Sequence, residues 1–103
     1  LSDETRLRIL SLIMNGEMCV CEIETCLKLT QSNASRHLTT LRNAGVLSYE
    51  KKAQWAYYTI NENFKKENKG LWDYIMRKII ELPKYQTDCD EYRKCKCQNL
   101  CNH

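Results

Sequence analysis

The stretch that decides the fold is Gln31-Ser32-Asn33-Ala34-Ser35-Arg36-His37-Leu38-Thr39-Thr40-Leu41-Arg42-Asn43-Ala44-Gly45, residues 31–45. Its apolar residues recur at helical spacing, which predicts one buried stripe on a helix that runs from Gln31 to Ala44. Thr30 directly before it is a typical capping residue, and Gly45 is typical of the position that follows a helix end. The predicted stripe consists of Ala34, Leu38 and Leu41.

The opposite face of this helix is polar and carries no acidic side chain. Side chains in the first half of such a helix can enter a DNA major groove, which is roughly 12 Å wide, and reach base edges. Arg36 is the natural contact for guanine or phosphate. His37 borders the buried stripe, so we expect it to pack or to contact phosphate rather than to bind metal. The predicted contacts to double-stranded DNA are Gln31, Ser32, Asn33, Ser35, Arg36, His37 and Thr39.

Two shorter helices precede this one. The first begins at Ser2-Asp3-Glu4, where a hydroxyl and two acids favour a helix start, and it ends at Gly16, which we expect to be a left-handed cap. A short extended segment, Met18-Cys19-Val20, leads to a second helix from about Cys21 to Leu29. This helix and the polar-faced helix after it, joined by a short turn, predict a helix-turn-helix.

Two β-like runs follow the polar-faced helix. They cover Val46 to Glu50 and Trp55 to Ile60, and the short polar gap between them predicts a hairpin. Lys51 and Lys52 fall at its tip, where they would meet backbone phosphate or the minor groove. The expected fold is therefore mainly α with a β-hairpin wing, a winged helix-turn-helix.

The C-terminal part divides into two regions. A polar stretch, Asn61 to Gly70, leads to a last helix from Leu71 to about Leu82, whose wide apolar face serves either the core or a dimer interface. Beyond Pro83 the apolar period disappears, so we expect a mobile tail unless its thiols are bound. The predicted organisation is one domain over residues 1–82 and a Cys-rich tail over residues 83–103.

The chain has seven cysteines in 103 residues. A C-x-C spacing suits a shared ligand better than two disulfide partners, so we expect a reducing cytoplasm and thiols kept for soft ions or redox chemistry. Cys19 and Cys21 precede a helix, whose N-terminal dipole favours the thiolate. Thiolates select soft ions such as Cd, Pb and trivalent arsenic or antimony. The candidate ligands are Cys19, Cys21, Cys26, Cys95, Cys97 and Cys101.

Five stretches stand in order along residues 1–82: LSDETRLRIL at 1–10, CVCEI at 19–23, QSNASRHL at 31–38, LRNAGVL at 41–47 and WAYY at 55–58. Together they resemble the ArsR/SmtB family of metal-responsive repressors. The resemblance implies a homodimer that binds operator DNA and leaves it when metal binds. Cys19-Val20-Cys21-Glu22 is similar to the C-V-C-[DE] motif of the arsenic-sensing and cadmium/lead-sensing branches, with the arsenic-sensing branch the nearer.

The third ligand stays open. The arsenic-sensing pattern has a Cys at the position of Glu24, so Cys26 or a tail cysteine would replace it. The last helix has acids at Asp73 and Glu81 and no His, so we expect the family's second metal site, which binds zinc, to be absent. The expected inducer is As(III) or Sb(III), with Cd(II) or Pb(II) as one alternative and a thiol-redox sensor as another.

Other functional classes find no support in the sequence. No apolar run is long enough to span a membrane, and no signal peptide is visible. No nucleophile with a base, phosphate-binding loop or catalytic metal pattern occurs, so we expect neither an enzyme nor a small organic substrate. The net charge of +3 is too small to indicate a polyanion partner by itself, so the DNA prediction depends on where the positive charges lie.

Overall fold

The computed structural model describes the backbone of residues 4–52 and 55–98, with side chains up to Lys94 in the last helix. This part of the chain forms six helices and three strands. In chain order they are α1 (Glu4–Ile13), β1 (Met18–Cys19), α2 (Val20–Leu27), α3 (Gln31–Asn43), β2 (Leu47–Lys52), β3 (Trp55–Ile60), α4 (Glu62–Glu67), α5 (Lys69–Ile80) and α6 (Tyr85–Gln98). None of these helices is both long and apolar enough to cross a membrane.

The core lies around α1, which packs against α2, α3, α5 and α6. Apolar side chains of the first three helices, of β1 and of α5 meet there with almost no exposed surface. Burial of this kind is the main favourable contribution to folding in a chain of this size. The largest of the fully buried apolar side chains are Ile9, Leu10, Leu12, Ile13, Met18, Cys19, Ile23, Leu38, Leu41, Ile75 and Ile79.

The helix-turn-helix, α2 and α3, is shaped by three local features. Lys28 ends α2 in the left-handed conformation, with φ of 56°, and its N–H donates to the Glu24 carbonyl. The Thr30 hydroxyl accepts a hydrogen bond from the Asn33 N–H at 3.2 Å, which confirms the predicted cap of α3. Gly45 follows α3 with φ of 83°, a conformation that favours glycine, so the predicted helix end is also confirmed.

The three strands form one antiparallel sheet in the order β1-β3-β2. β2 and β3 form the predicted hairpin, but β2 continues to Lys52, so Lys51 and Lys52 are strand residues. β1 is the extended segment expected before α2, and it pairs with the central strand β3, with Cys19 opposite Tyr57. The sheet therefore connects the segment that carries Cys19 to the wing.

Two expectations for the C-terminal half were wrong. The polar stretch before the last helix is itself helical: Asn61 caps α4 by accepting a hydrogen bond from the Asn63 N–H at 3.0 Å. α5 then begins at Lys69, two residues earlier than predicted. Most of the expected mobile tail is the helix α6, which packs against α1 and α2. The polar composition of both segments hid helices that hydrogen bonds and ion pairs stabilise.

Candidate thiol site and nucleic-acid interface

The start of α2 is the centre of the candidate thiol site. Cys19 is the last residue of β1 and also the N-cap of α2, a position where Ser, Thr, Asp or Asn is usual. Its side chain is buried, with 1% of its surface exposed, whereas Cys21 is half-buried. The Cys19 Sγ and Cys21 Sγ atoms lie 3.0 Å apart. The fold therefore brings the two sulfurs of the C-x-C spacing side by side, and the ligand that they share stays a prediction.

Glu22 is part of this site, and the sequence reasoning did not assign it a role. Its side chain is 5% exposed, and its Oε1 accepts a hydrogen bond from the Cys19 backbone N–H at 3.0 Å. This contact is one arm of a capping box, because an acid at the third helical position reaches back to the N-cap. The three-residue spacing from Cys19 to Glu22 was the available signal. Glu22 holds the Cys19 backbone in place, so it orients the thiol.

In their reduced form, the two sulfurs are close enough to share one soft ion. Metal–thiolate bonds of about 2.3 Å allow an ion to bond two sulfurs that are up to about 4.6 Å apart, and the observed 3.0 Å is well within that span. Within the residues that the structure describes, no three His, Cys, Asp or Glu side chains converge on a common ion position. The structure assigns Cys19, Cys21 and Cys26 to disulfide bonds, so an ion would bind their reduced form.

Cys26 lies elsewhere on α2, against α6. It is 3% exposed, and its Sγ lies 3.5 Å from the Glu91 carbonyl oxygen. The described residues do not bring it into a three-ligand group with the Cys19–Cys21 pair. The backbone of α6 includes positions 95 and 97, but the side chains of Cys95 and Cys97, and all of Cys101, are outside the described residues.

The candidate nucleic-acid interface is the outer face of α3. Gln31, Ser32, Asn33, Arg36 and Thr39 are exposed, and Ser35 is half-buried. The Arg36 Nη2 donates to Asn33 Oδ1 at 3.3 Å, which orders the guanidinium on this face without burying it. These predicted contacts therefore share one accessible surface that contains no acidic residue.

His37 does not share that surface. Its ring is 5% exposed, and Nδ1 accepts a hydrogen bond from Arg6 Nε at 3.2 Å. The prediction that it contacts DNA therefore needs correction: of the two roles considered for this residue, the structure favours packing between α3 and α1. The helical spacing placed His37 at the border of the buried stripe, but it did not show that α1 covers that border.

The two wing lysines differ in their surroundings. Lys51 is exposed, whereas Lys52 Nζ donates to both carboxylate oxygens of Glu17 at 2.9 and 3.0 Å. The hydrogen bond to Glu17 is the main cause that raises the pKa of Lys52. Glu17 directly precedes β1, so a contact that the sequence reasoning missed links the segment before Cys19 to the wing. The hairpin turn, Ala53 and Gln54, is outside the described residues.

A helix-turn-helix with a polar second helix, followed by a two-stranded wing, defines the winged helix-turn-helix class. Residues 3–49 match the family described as "Bacterial regulatory protein, arsR family". The solved structure of HlyU from Vibrio cholerae N16961 is 34% identical, with a TM-score of 0.62 over 74% of this chain and 79% of that chain. The chain belongs to the ArsR family of bacterial regulatory proteins.

Two curated relatives carry names that specify an ion. The chain is 48% identical over 62 residues to the arsenic resistance transcriptional regulator ArsR1 of Pseudomonas putida. The matched residues are 59% of this chain and 48% of the relative. It is 34% identical over 68 residues to the cadmium resistance transcriptional regulatory protein CadC homolog of Staphylococcus aureus, covering 65% and 56%. The chain spans about half the length of the curated relatives it matches.

Proposed function

We propose that this chain is a cytoplasmic transcriptional repressor that binds double-stranded operator DNA as a homodimer and is released by trivalent arsenic or antimony bound to cysteine thiolates. The observation that carries the proposal is the position of Cys19, which ends β1, caps α2 and lies 3.0 Å from the Cys21 sulfur. A ligand that binds the Cys19 sulfur would act on β1 and on α2 at the same time. The arsenic-resistance relative supports the choice of ion.

The accessible face of α3 supports the DNA-binding role. We assign base or phosphate contacts to Gln31, Ser32, Asn33, Ser35, Arg36 and Thr39, which are accessible on one side of the helix. Lys51 and Lys52 extend this surface along the wing, where positive charge contacts phosphate without reading sequence.

The surface of α5 supports the homodimer. Leu71, Tyr74 and Ile80 are 45%, 49% and 60% exposed, although the same helix buries Ile75 and Ile79 in the core. Large apolar side chains exposed this far on a helix of a small domain favour contact with another protein surface. We assign that surface to a second copy of this chain, as the family resemblance implies.

The proposed switch uses two connections that start at Cys19. The first is α2 itself, which leads into α3 through a turn of three residues, 28–30. The second is the sheet, because Cys19 pairs with Tyr57 on β3, and β3 pairs with β2. Reduced Cys19 and Cys21 would hold the ion, and Cys19 would then no longer serve as the N-cap of α2. The change would reach both DNA-contacting elements, which provides a local two-state switch.

The third thiol comes from Cys26 or from the Cys-rich segment. We favour one of Cys95, Cys97 and Cys101, because Cys26 lies against α6, with its sulfur in contact with the Glu91 carbonyl. The direction of α6, which passes along α2, is consistent with a ligand from the same chain.

A repressor released by Cd(II) or Pb(II) is the alternative with the same fold and the same two thiols. Its support is the cadmium resistance relative. Both ions are soft and bind thiolates, so the two readings differ in the ion and not in the mechanism.

A thiol-redox-sensing repressor is a second candidate function. The observation that favours it is that Cys19, Cys21 and Cys26 are assigned to disulfide bonds, whereas Cys89 is free. In that case an oxidant alone would change the start of α2, and no ion would be needed.

The experiment that tests the proposal uses the full chain under a reductant that does not bind metal. Arsenite, Cd(II) and Pb(II) are titrated separately while ultraviolet absorbance from thiolate-to-ion charge transfer is followed. Release from an operator duplex, obtained by selection from random DNA, is then measured with each ion. We expect arsenite to saturate the protein and release the DNA.

The double variant Cys19→Ser with Cys21→Ser should keep DNA binding and lose induction. Cys89→Ser is the matched control, because this thiol on α6 is free and is not among the proposed ligands. A double variant that is still fully inducible by arsenite would contradict the assigned thiols. Release by an oxidant in the absence of any ion would favour the redox sensor instead.

A further inference from the structure

Arg42 on α3 and Tyr49 on β2 are in contact where the helix meets the wing. The guanidinium carbon of Arg42 lies 4.4 Å from the centroid of the Tyr49 ring. A guanidinium over an aromatic face is attracted to it electrostatically, and the N–H donors at the edge of the guanidinium stay available. Both side chains are exposed, and 41% of the Tyr49 surface is accessible. The pair therefore presents a positive charge to solvent in a defined position.

The wing restricts the orientation of the Tyr49 ring. Tyr49 pairs with Tyr58 on β3, and their rings meet edge to face, with centroids 5.5 Å apart and an interplanar angle of 62°. Tyr58 is 6% exposed, so the core holds this second ring in place. Edge-to-face contacts add to the free energy that burial alone contributes. Arg42 thus packs on a ring that cannot turn freely.

The charge of Arg42 has no acidic partner in the described part of the chain. Arg93 shows the usual arrangement on this surface, since it pairs with Asp90 at 2.8 Å. Among the described residues, by contrast, no carboxylate forms an ion pair with Arg42. An anion that bound to Arg42 would therefore not have to displace a carboxylate of these residues, and it would gain a charge-assisted hydrogen bond.

Lys51 extends this positive charge along the wing. Successive residues of a strand point to opposite faces, so Lys51 lies on the same face of β2 as Tyr49. Glu50 and Lys52 lie on the opposite face, where Lys52 Nζ is 3.8 Å from Glu50 Oε1. The acid of β2 is thus kept on the other face of the strand. The side of the wing next to Arg42 suits a polyanion with repeated charges, as in a nucleic-acid backbone.

We propose that Arg42, oriented by the Tyr49 ring, is a phosphate-binding residue at the junction of α3 and the wing. The inference rests on the proposed function, in which α3 and the wing contact duplex DNA. A guanidinium can donate two parallel hydrogen bonds to one phosphate. Phosphate contacts fix the register of a protein on the duplex and carry no sequence information. Arg42 therefore sets how α3 enters the groove, and Tyr49 is a positioning residue that acts through Arg42.

The test uses the full chain without inducer, under a reductant that does not bind metal, and two duplexes of equal length. One duplex is the selected operator and the other has a random sequence. Fluorescence anisotropy measures the affinity for each duplex at several salt concentrations. Arg42→Ala should weaken binding to both duplexes by the same factor, about tenfold, because a hydrogen bond to a charged group is lost.

The salt dependence distinguishes a phosphate contact from a structural role. The slope of log affinity against log salt concentration should become shallower by about 0.9 for each Arg42, and so by roughly 1.8 for a homodimer that uses both copies. Arg42→Gln keeps most of the side-chain length without the charge. It should change the slope as Arg42→Ala does, so the result does not depend on the stability of one variant.

Three substitutions test the part played by the ring. Tyr49→Leu removes the ring and should lower affinity about threefold with an unchanged slope, because an exposed cation–π contact is weak. Tyr49→Phe keeps the ring and should bind as the unmodified chain does. Arg42→Lys keeps the charge but not the planar fork of donors, so it should keep the slope and lose part of the affinity.

Arg93→Ala is the matched control, because it removes an arginine of α6 that Asp90 already pairs with. It should change neither the affinity nor the slope.

Three results would overturn the inference. An unchanged slope in both Arg42→Ala and Arg42→Gln would show that Arg42 binds no phosphate. A loss confined to the operator duplex would assign Arg42 to base reading instead. An unchanged affinity in Tyr49→Leu would show that the ring does not position Arg42. A failure of the proposed function looks different, because the unmodified chain would then bind neither duplex.

Discussion

α2 and α3 are the two neighbouring helices of the helix-turn-helix, and they differ in how far their functional side chains are exposed. At the start of α2 these side chains are buried: Cys19 and Glu22 are 1% and 5% exposed. On α3 they are accessible, with Arg36 and Thr39 on an open face. A small ion can reach a shielded thiol pair, whereas a DNA groove requires a surface. The comparison agrees with the proposed function, in which the two helices serve ligands of different size.

Arg36→Ala should have the largest effect, which is on operator binding, because it removes a charged side chain from the exposed face of α3. Operator binding should weaken at least tenfold, since one good base or phosphate contact is worth about 1–3 kcal/mol. Arsenite binding should stay unchanged, because Arg36 contacts Asn33 and not the thiol site. Fluorescence anisotropy with the selected operator and the ultraviolet titration measure the two quantities.

Arg93→Ala is the control for that variant, because Arg93 is 69% exposed on α6 and pairs with Asp90. If Arg36→Ala lost ion binding as well, the separation between the two helices would not hold.

Gly16→Ala should have the next largest effect, and it acts at the loop before the thiol site. Gly16 has φ of 155°, which L side chains rarely adopt, and the new Cβ would approach Tyr92 Oη to 2.9 Å. We expect the free energy of unfolding to fall by roughly 2 kcal/mol, measured by urea denaturation. Gly70→Ala is the matched control, since nothing lies within 4 Å of its added Cβ and α5 is helical there. A Gly16→Ala chain as stable as the original would mean that α6 is not held against this loop.

Glu22→Ala tests the buried contacts at the start of α2. It removes the carboxylate that accepts from the Cys19 N–H, so the unfolding free energy should fall by about 1 kcal/mol, as for loss of a helix cap. Arsenite affinity should fall too, because the backbone of Cys19 is no longer held. Glu22→Gln retains an acceptor at the same place and should lose less. Equal losses in the two variants would show that the capping contact is not the cause.

The smallest effect concerns Tyr92 and depends on pH. Burial, and secondarily the charge of Glu22, raise the pKa of Tyr92 above its ordinary value of 10.0. The folded state thus favours the protonated phenol, and its contribution to stability is present below pH 10 and lost as the pH rises through the folded-state value. Tyr92→Phe should be less stable by about 1 kcal/mol at pH 7 through loss of the hydrogen bond to Asn15, and this difference should shrink above pH 10. Denaturation of both chains from pH 7 to 11 measures this difference in stability. A difference that does not change with pH would contradict the raised pKa of Tyr92.

Local signals predicted α3 and the wing, whereas long-range contacts escaped prediction. Thr30 and Gly45 marked the two ends of α3, because helix caps depend on neighbouring residues. Aromatic and β-branched side chains favoured strand β3. α6 lacks an apolar period and is attached through Arg8 and Asp88, 80 positions apart, which no local pattern reveals. The same limit applies to His37, because only the packing of α1 on α3 buries its ring.

Within the candidate thiol site, the C-x-C spacing already placed the two sulfurs near each other along the chain, and they lie 3.0 Å apart. The residues around them were harder to predict. Glu22 has the spacing of a capping box, but a cysteine at the N-cap obscured the motif. The contact between Glu17 and Lys52 joins segments 35 positions apart, so it required the antiparallel sheet to be known.

In the proposed function, in which Lys52 contacts phosphate, the ion pair with Glu17 has a consequence for the thermodynamics of DNA binding. A lysine that neutralises a phosphate normally releases a condensed cation from the DNA, which makes affinity fall with salt concentration. Lys52 already has a carboxylate partner in Glu17, so its transfer to a phosphate exchanges one anion for another. The DNA still loses its cation, but the Glu17 carboxylate loses its Lys52 partner. Salt screens the exposed Lys52–Glu17 ion pair as well as a contact to phosphate. We therefore expect operator affinity to fall less steeply with salt concentration than the two wing lysines alone would suggest.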